Sequence, residues 1–264
     1  MSYAIVIPAV DNNELSAGLL RNLLSSIVIG EYTCPVVICW DNVPQDVIGL
    51  FEAEFPFITS LPFLGESCLN FAANSNRGLR YIHKELGLGT FLVNMDVCLP
   101  HRRYLEQVIT DGVSSPTCRH IDGTAEEKLA ILDDIANRGC PQEHAPVVDR
   151  HRLLGFCLWI SNSTMSKIGY LDELTFKASF EDDDYCVRAW LAGIRCTEHW
   201  LPVHHELKGR GENLSTTNAY DTEQLVDHFH RFRKKWNIPF DIPREEFPQY
   251  ILSHHEWCDD WKCS

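Results

Sequence analysis

Thr90-Phe91-Leu92-Val93-Asn94-Met95-Asp96 is the stretch on which the fold turns. Four apolar or β-branched residues run directly into a polar, acidic end, and the run is strand-sized. Immediately upstream, Asn70–Leu86 has helical spacing with Gly87 as its stop signal. The same alternation extends back to the first residues. Ala4–Pro8, Pro35–Trp40 and Phe57–Pro62 read as strands, and Glu14–Ile27 and Val47–Phe55 read as helices. In Glu14–Ile27, leucines 15, 19, 20, 23 and 24 with Ile27 mark one apolar face. Strands separated by helices of this length predict an α/β fold, a mostly parallel mixed central sheet flanked by helices in one Rossmann-like domain.

Beyond residue 101 the signal is weaker. A short helix is expected over 102–111. Thr124-Ala125-Glu126-Glu127 is a capping box that opens a helix reaching Asn137 and stopping at Gly139. A Pro/His-rich stretch fills Cys140–His151, a strand Leu153–Ile160, a helix the residues from Phe180 to Ala192, a strand Cys196–Pro202 and a last helix Thr222–Trp236. The expected organisation is a domain over 1–236, divided into halves 1–100 and 101–236, with 237–264 as a C-terminal extension.

Composition narrows the function classes. The 264 residues are 45% hydrophobic and 23% charged, which excludes disordered and low-complexity chains. A net charge of −14 disfavours polyanionic partners such as nucleic acid. No apolar run reaches the roughly 18–20 residues of a membrane helix. The eleven cysteines are scattered, odd in number and without a Cys-x-x-Cys. They read as reduced core residues of a cytoplasmic protein, with no signal peptide expected.

Candidate chemistry gathers where an open α/β sheet binds ligands, past the carboxyl ends of its strands. Asp11, Asp41-Asn42 and Asn94-x-Asp96 occupy those positions. Each alone reads equally as a turn or helix cap. Glu181-Asp182-Asp183-Asp184 packs four carboxylates together, more than a helix N-terminus needs. His204-His205-Glu206 follows the strand Cys196–Pro202 and offers metal-ligand chemistry or ordinary surface histidines. Gly-x-Gly-x-x-Gly and P-loop patterns are absent.

Taken in order, these motifs resemble the family-2-type glycosyltransferases of GT-A fold, especially the rhamnosyltransferase-like branch. The series comprises Asp11, Asp41-Asn42, Asn74-Ser75-Asn76-Arg77-Gly78, Leu92–Asp96 and Gly155–Ile160. It continues through Ile168-Gly169-Tyr170-Leu171-Asp172-Glu173, Phe180–Arg188, Gly193 and Val203-His204-His205. The resemblance spans about residues 3–236. Two departures stand out: the Asp-x-Asp motif reads Asn94-Met95-Asp96, and the insertion at about 123–151 has no counterpart.

The resemblance implies an inverting transferase that moves a sugar from a nucleotide-diphosphate donor to a hydroxyl of a glycan or other acceptor. It implies that Asp11 and Asp41 bind the base and ribose. Asn76, Arg77, Gly78 and Asn94 would lie beside the donor, with Arg77 on a phosphate. Asp96 would hold Mn²⁺ or Mg²⁺, completed by His204 or His205. Asp182 is the expected base and Glu181 the alternative, while Asp184 orients the loop or acceptor. Trp159 and Trp200 read either as sugar platforms or as core, and Leu207–Ser215, with Lys208 and Arg210, as a closing loop or a plain connection.

Three rival readings stand beside this one. A transferase acting on modified DNA bases would use His101-Arg102-Arg103 and the basic run Arg231–Lys235. A non-catalytic module would bind the nucleotide sugar without transfer. A zinc site in the tail would use His254, His255, Cys258 and Cys263.

Overall fold

Tyr3–Val10 forms β1, and its residues are buried without alternation because helices cover both faces of the sheet. The computed structural model describes residues 2–10, 14–65, 70–176, 179–206 and 222–263. Asp11 and the Leu207–Ser215 segment therefore lie outside the described residues. The first half continues with α1 (Glu14–Ile29), β2 (Val36–Asp41), α2 (Gln45–Glu54), β3 (Ile58–Phe63), α3 (Phe71–Tyr81) and β4 (Gly89–Val93). A wide turn at Ile82–Leu86 extends α3, and Gly87 closes it at φ +65°, a conformation that suits glycine.

The second half contains β5 (Val97–Cys98), α4 (Arg102–Leu105), β6 (Val113–Arg119), α5 (Ala125–Arg138), β7 (Val147–Asp149) and β8 (Cys157–Ile160). It continues with α6 (Asn162–Ile168), α7 (Glu181–Leu191), β9 (Cys196–His205), α8 (Thr222–Lys235) and α9 (Phe247–His254). The capping box of α5 is formed in full, with Thr124 and Glu127 each bonding the other's backbone N–H.

One mixed sheet runs in the order β3-β2-β1-β4-β8-β6-β9-β5, with β7 added on β9. The pairs among β3, β2, β1 and β4 are parallel, while β8 runs antiparallel to β4. Because β2 and β3 lie on one side of β1 and β4 on the other, the strand order reverses beside β1. Ligands of open α/β sheets bind at the carboxyl ends flanking such a reversal. One face packs Ile5, Ile7, Leu23, Leu24, Trp40 and Phe51, largely under α1 and α2. The other packs Val6, Val37, Cys39, Leu79, Met165 and Tyr185 under α3, α6 and α7. A third cluster, including Phe176, Phe180, Phe232, Trp236, Phe247 and Ile251, fastens α8 and α9 to α7. No described helix is long and apolar enough to cross a membrane.

Several elements differ from expectation, and the short β5, β7, α6 and α9 were not expected at all. β6 reads Val-Ser-Ser-Pro-Thr-Cys-Arg and was not foreseen, because a proline and two serines disguise it. It is nonetheless interior to the sheet, and its register shifts at Pro116/Thr117, where a bulge accommodates the missing N–H. The strand expected from Leu153 begins only at Cys157. β9 extends to His205, so His204 and His205 lie within a strand rather than after it.

Candidate active site

Register places the strand ends together. Val10, Asp41 and Phe63 lie opposite one another across β1, β2 and β3. Asp41 is buried and shares the sheet face of Val37 and Cys39, the face covered by α3. The chain then turns sharply through Asn42 at φ +54°, whose side chain receives the Gly65 N–H at 2.9 Å.

On α3 the residues expected beside the donor are built into the framework at the strand ends. Asn76 is fully buried and faces the segment Leu171–Glu173: its amide donates to the Leu171 carbonyl (2.9 Å) and to Glu173 (2.6 Å), and its oxygen accepts the Leu171 N–H (3.0 Å). Gly78 makes room for the sheet, since a Cβ there would meet Val6 Cγ1 at 2.4 Å and Cys39 Sγ at 2.7 Å. Arg77 reaches the carboxyl ends of β2 and β3, but its two Nη atoms donate to the carbonyls of Trp40, Leu61 and Pro62 and to Asn74. Those bonds satisfy strand-end carbonyls that the sheet leaves open. All three residues therefore help to shape the platform at the strand ends.

Past β4 the chain makes a tight turn. Asn94 donates its N–H to the Phe156 carbonyl (2.9 Å), and Val97 donates back to the Asn94 carbonyl (3.2 Å). The buried Asn94 Oδ1 has no hydrogen-bond partner among the described residues. β5 then pairs with β9 so that Val97 lies opposite His205 and Cys98 opposite His204. Asp96 Oδ1 consequently stands 3.3 Å from His205 Nε2. The His205 ring stacks on Phe156 with centroids 5.0 Å apart and planes 18° apart, which holds its direction.

His204, one residue earlier on the strand, faces the opposite way. Its Nδ1 accepts the Ile121 N–H at 3.0 Å. With His120 and Glu206 it gathers three potential ligand atoms within 4.8 Å of one another. Two observations count against a cation there. A neutral ring whose Nδ1 accepts an amide carries its hydrogen on Nε2 and is a donor there, not a metal ligand. The Lys128 ammonium already lies 3.7 Å from Glu206 Oε2. Burial, aided by Lys128, pushes the His204 pKa down to about 4, so the ring is neutral near pH 7. His204 thus belongs to this second candidate group, and His205 to the pair with Asp96. Asp96 and His205 fit a divalent cation, because neighbouring ligands of one octahedral ion are separated by about 3 Å. The orphaned Asn94 oxygen lies two residues away in the chain.

The acidic run opens α7 after two consecutive residues in the left-handed region, Ser179 (φ +73°) and Phe180 (φ +68°). Such backbone costs on the order of 1 kcal/mol per residue and persists where the surroundings enforce it. Successive helical residues point about 100° apart, so the four acids face four environments. Asp182 accepts the Gly155 N–H (2.9 Å) and the Asp183 N–H (2.8 Å). Glu181 is buried beside it with Oε2 unbonded; burial, then the Asp182 charge, raises its pKa well above the usual carboxylate range. Asp183 pairs with Arg152 and, at 3.4 Å, with Arg244. Burial and Asp182 outweigh those two cations and push its carboxyl up to about 7.

Asp184 ties α7 to α8. It is fully buried and pairs with Arg188 Nε (2.8 Å), Lys235 Nζ (2.7 Å) and Trp236 Nε1 (3.1 Å). Arg188 in turn donates to the carbonyls of Ile168 and Tyr170.

A continuous chain of contacts joins the two acidic features. Asp182 holds Gly155, the Phe156 carbonyl holds Asn94, and the Phe156 ring holds His205 against Asp96. Gly155 admits this approach because a Cβ there would already crowd the Asp182 side chain at 3.2 Å. Sequence reading quoted Gly155 and Phe156 within a motif but assigned them no task. The signal was the glycine and aromatic just before the strand.

Other expected residues are occupied elsewhere. Trp159 packs on Phe91 and donates to the Thr110 carbonyl. In the tail, His254 bonds the Tyr250 carbonyl and His255 the Trp236 carbonyl, and among the described residues His254, His255, Cys258 and Cys263 do not gather as one metal-ligand group. The basic run is spent internally: Arg231 pairs with Asp227, Arg233 donates to the Pro239 and Ile242 carbonyls, and Lys235 pairs with Asp172 and Asp184.

No protein-family model and no curated protein matches the sequence. Solved structures do match. The mannosyltransferase PcManGT from Pyrobaculum calidifontis, in complex with GDP-Man and Mn²⁺, is 14% identical at TM-score 0.61, over 95% of this chain and 68% of that one. Residues 1–349 of S. aureus TarS in complex with UDP-GlcNAc give 14% identity and TM-score 0.55 over 95% and 78%. GalNAc-T7 with UDP, GalNAc and Mn²⁺ gives 10% and 0.60 over 98% and 56%. The chain has the GT-A glycosyltransferase fold. It spans between about half and three-quarters of the chains it resembles.

Proposed function

We propose that the protein transfers a sugar from a nucleotide-diphosphate donor to an acceptor hydroxyl, with inversion at the anomeric carbon. The observation that carries this reading is the linked pair of clusters, Asp96–His205 and Glu181–Asp182, brought to either side of Gly155-Phe156 just past the carboxyl end of β4. Their placement fits donor binding on one side and acceptor activation on the other. The shared fold with transferases solved with nucleotide sugars supports the same reading. The rhamnosyltransferase-like branch rests on the motif series alone.

Asp41 and Asp11 are assigned to the nucleoside and Asn94 to the donor. Asp96 and His205 would hold a cation, Mn²⁺ in preference to Mg²⁺ because imidazole is a ligand, and it would supply positive charge to the departing diphosphate. Asp182 takes the acceptor proton while the acceptor oxygen bonds the anomeric carbon. The bond to the diphosphate oxygen breaks and its electron pair leaves with the diphosphate. Two backbone N–H groups aim the Asp182 carboxylate. Burial, then the neighbouring Asp182, raises the Glu181 pKa well above the usual carboxylate range, which favours its protonated form beside the base.

A thermal-shift screen of nucleotide diphosphates and nucleotide sugars, with and without Mn²⁺, tests donor binding. Ligand at 100 times its Kd stabilises by about 2.7 kcal/mol, a rise of several degrees in Tm. Stabilisation by one nucleotide class, enhanced by Mn²⁺, is expected; none by any donor would sink the proposal. The anomeric configuration of the product, read by NMR, tests inversion.

A further inference from the structure

A groove of about 670 Å³ lies beside α7. One wall is Asp149–Leu154, running out of the insertion that has no counterpart in the motif series; the other is Arg244, Glu245 and Pro248 of the C-terminal extension. The walls meet at Asp183, which receives Arg152 from one and Arg244 from the other. Asp183 follows Asp182 directly, and Leu153 and Leu154 lead into Gly155, which Asp182 holds. At the far end the His151 ring lies 4.9 Å from Trp190, and Trp190 donates to the Arg150 carbonyl. The groove thus follows α7 from Asp182 to Trp190, about 12 Å at 1.5 Å per residue.

Its charges come in compensating sets. Arg150 pairs with Glu198 at 2.9 Å, Arg152 and Arg244 share Asp183, and Glu245 offsets the remaining cation. A polyanion finds no surplus positive field there. A polyhydroxylated ligand finds forked donors and acceptors, with Leu154 and Pro248 for the apolar faces of its rings.

We propose that this groove is the acceptor site and takes an uncharged oligosaccharide whose terminal hydroxyl reaches Asp182. The proposal rests on the transferase reading and gives the insertion and the extension a common task, the two walls of one site.

The test titrates the full chain, without donor, with neutral manno-, gluco-, galacto- and N-acetylglucosamine oligosaccharides. Sulfated heparin fragments and single-stranded DNA serve as polyanions, and binding is read by saturation-transfer NMR. Leu154→Trp and Glu245→Trp fill the groove from opposite walls at exposed positions. Both are expected to weaken neutral oligosaccharide binding at least tenfold, with nucleotide-sugar binding by thermal shift within twofold of wild type. Binding of polyanions only, binding of no oligosaccharide, or neutral binding unchanged in both variants overturns the proposal. If the wild type binds no nucleotide sugar yet loses oligosaccharide binding in both variants, the transferase reading falls and the carbohydrate groove stands.

Discussion

The two halves of the sheet place their polar residues by different means. In β3-β2-β1-β4, parallel strands all end at one edge, so Asp41 and Asn94 arrive there through strand direction alone. The supporting bonds are contributed from α3, with Asn74 on the Cys39 carbonyl and Arg77 on the Trp40 carbonyl. In β8-β6-β9-β5, strand directions are mixed. There the groups converge only because Gly155 admits Asp182 and a two-residue ladder sets His205 against Asp96. The parallel half builds a platform from regular repeats, and the mixed half builds the reactive groups from single contacts. Point changes in the mixed half should therefore alter chemistry sharply while leaving the platform's nucleotide binding in place.

The severest test is Asp182→Asn, which keeps an oxygen for the Gly155 N–H but removes the base. Transfer is expected to fall about 10³-fold, with nucleotide binding within twofold. Near-normal turnover would remove Asp182 from the reaction and erase the contrast between the halves. Next comes Asp184→Ala, which strands the buried Arg188 charge. A loss of about 3–4 kcal/mol in denaturant unfolding is expected, against little change for Glu181→Gln. A smaller effect separates neighbouring residues on one strand. His205→Ala should weaken Mn²⁺ binding about 10- to 100-fold, whereas His204→Ala should leave it within threefold, as measured by calorimetry. Equal losses in both would move the cation to the His120, His204 and Glu206 group.

The smallest effect is a pH dependence. Asp183 has a folded pKa of about 7, above its unfolded value, so its contribution is fully present below about pH 4 and is lost as pH rises through 7. Asp172 has the opposite sign. Its burial is outweighed by Lys235 and Thr175, its pKa falls to about 2, and its contribution is lost only as pH drops toward 2. Between pH 5 and 8 the Asp183 behaviour should lower Tm by a few degrees, and Asp183→Asn should flatten that slope. An unchanged slope would show that another group carries it.

Much of the parallel half was legible because its signals are local. Apolar runs, the helical spacing in Glu14–Ile27 and Gly87 all report on a few neighbouring residues, as does the Thr124 capping box in the second half. β6 was not legible. Ser114 and Ser115 are buried in it through pairing with β8 and β9, a tertiary fact that overrides strand propensity. Glu181–Asp184 was visible as a cluster, but the division of labour within it was not, since Arg152, Lys235 and Arg244 reach it from different parts of the chain.

The amino-acid order by itself determined the α/β alternation, the positions of the strand ends and the acidic and histidine residues available for chemistry. Period, caps and residue type act within a turn or two of chain. Only the tertiary structure decided that His205 rather than His204 meets Asp96, that Arg77, Asn76 and Asp184 serve the framework, and that two unmatched segments enclose one groove. Those outcomes depend on strand register and helix rotation, and register is set by pairing between residues far apart in sequence, where a shift of one position turns a side chain to the opposite face.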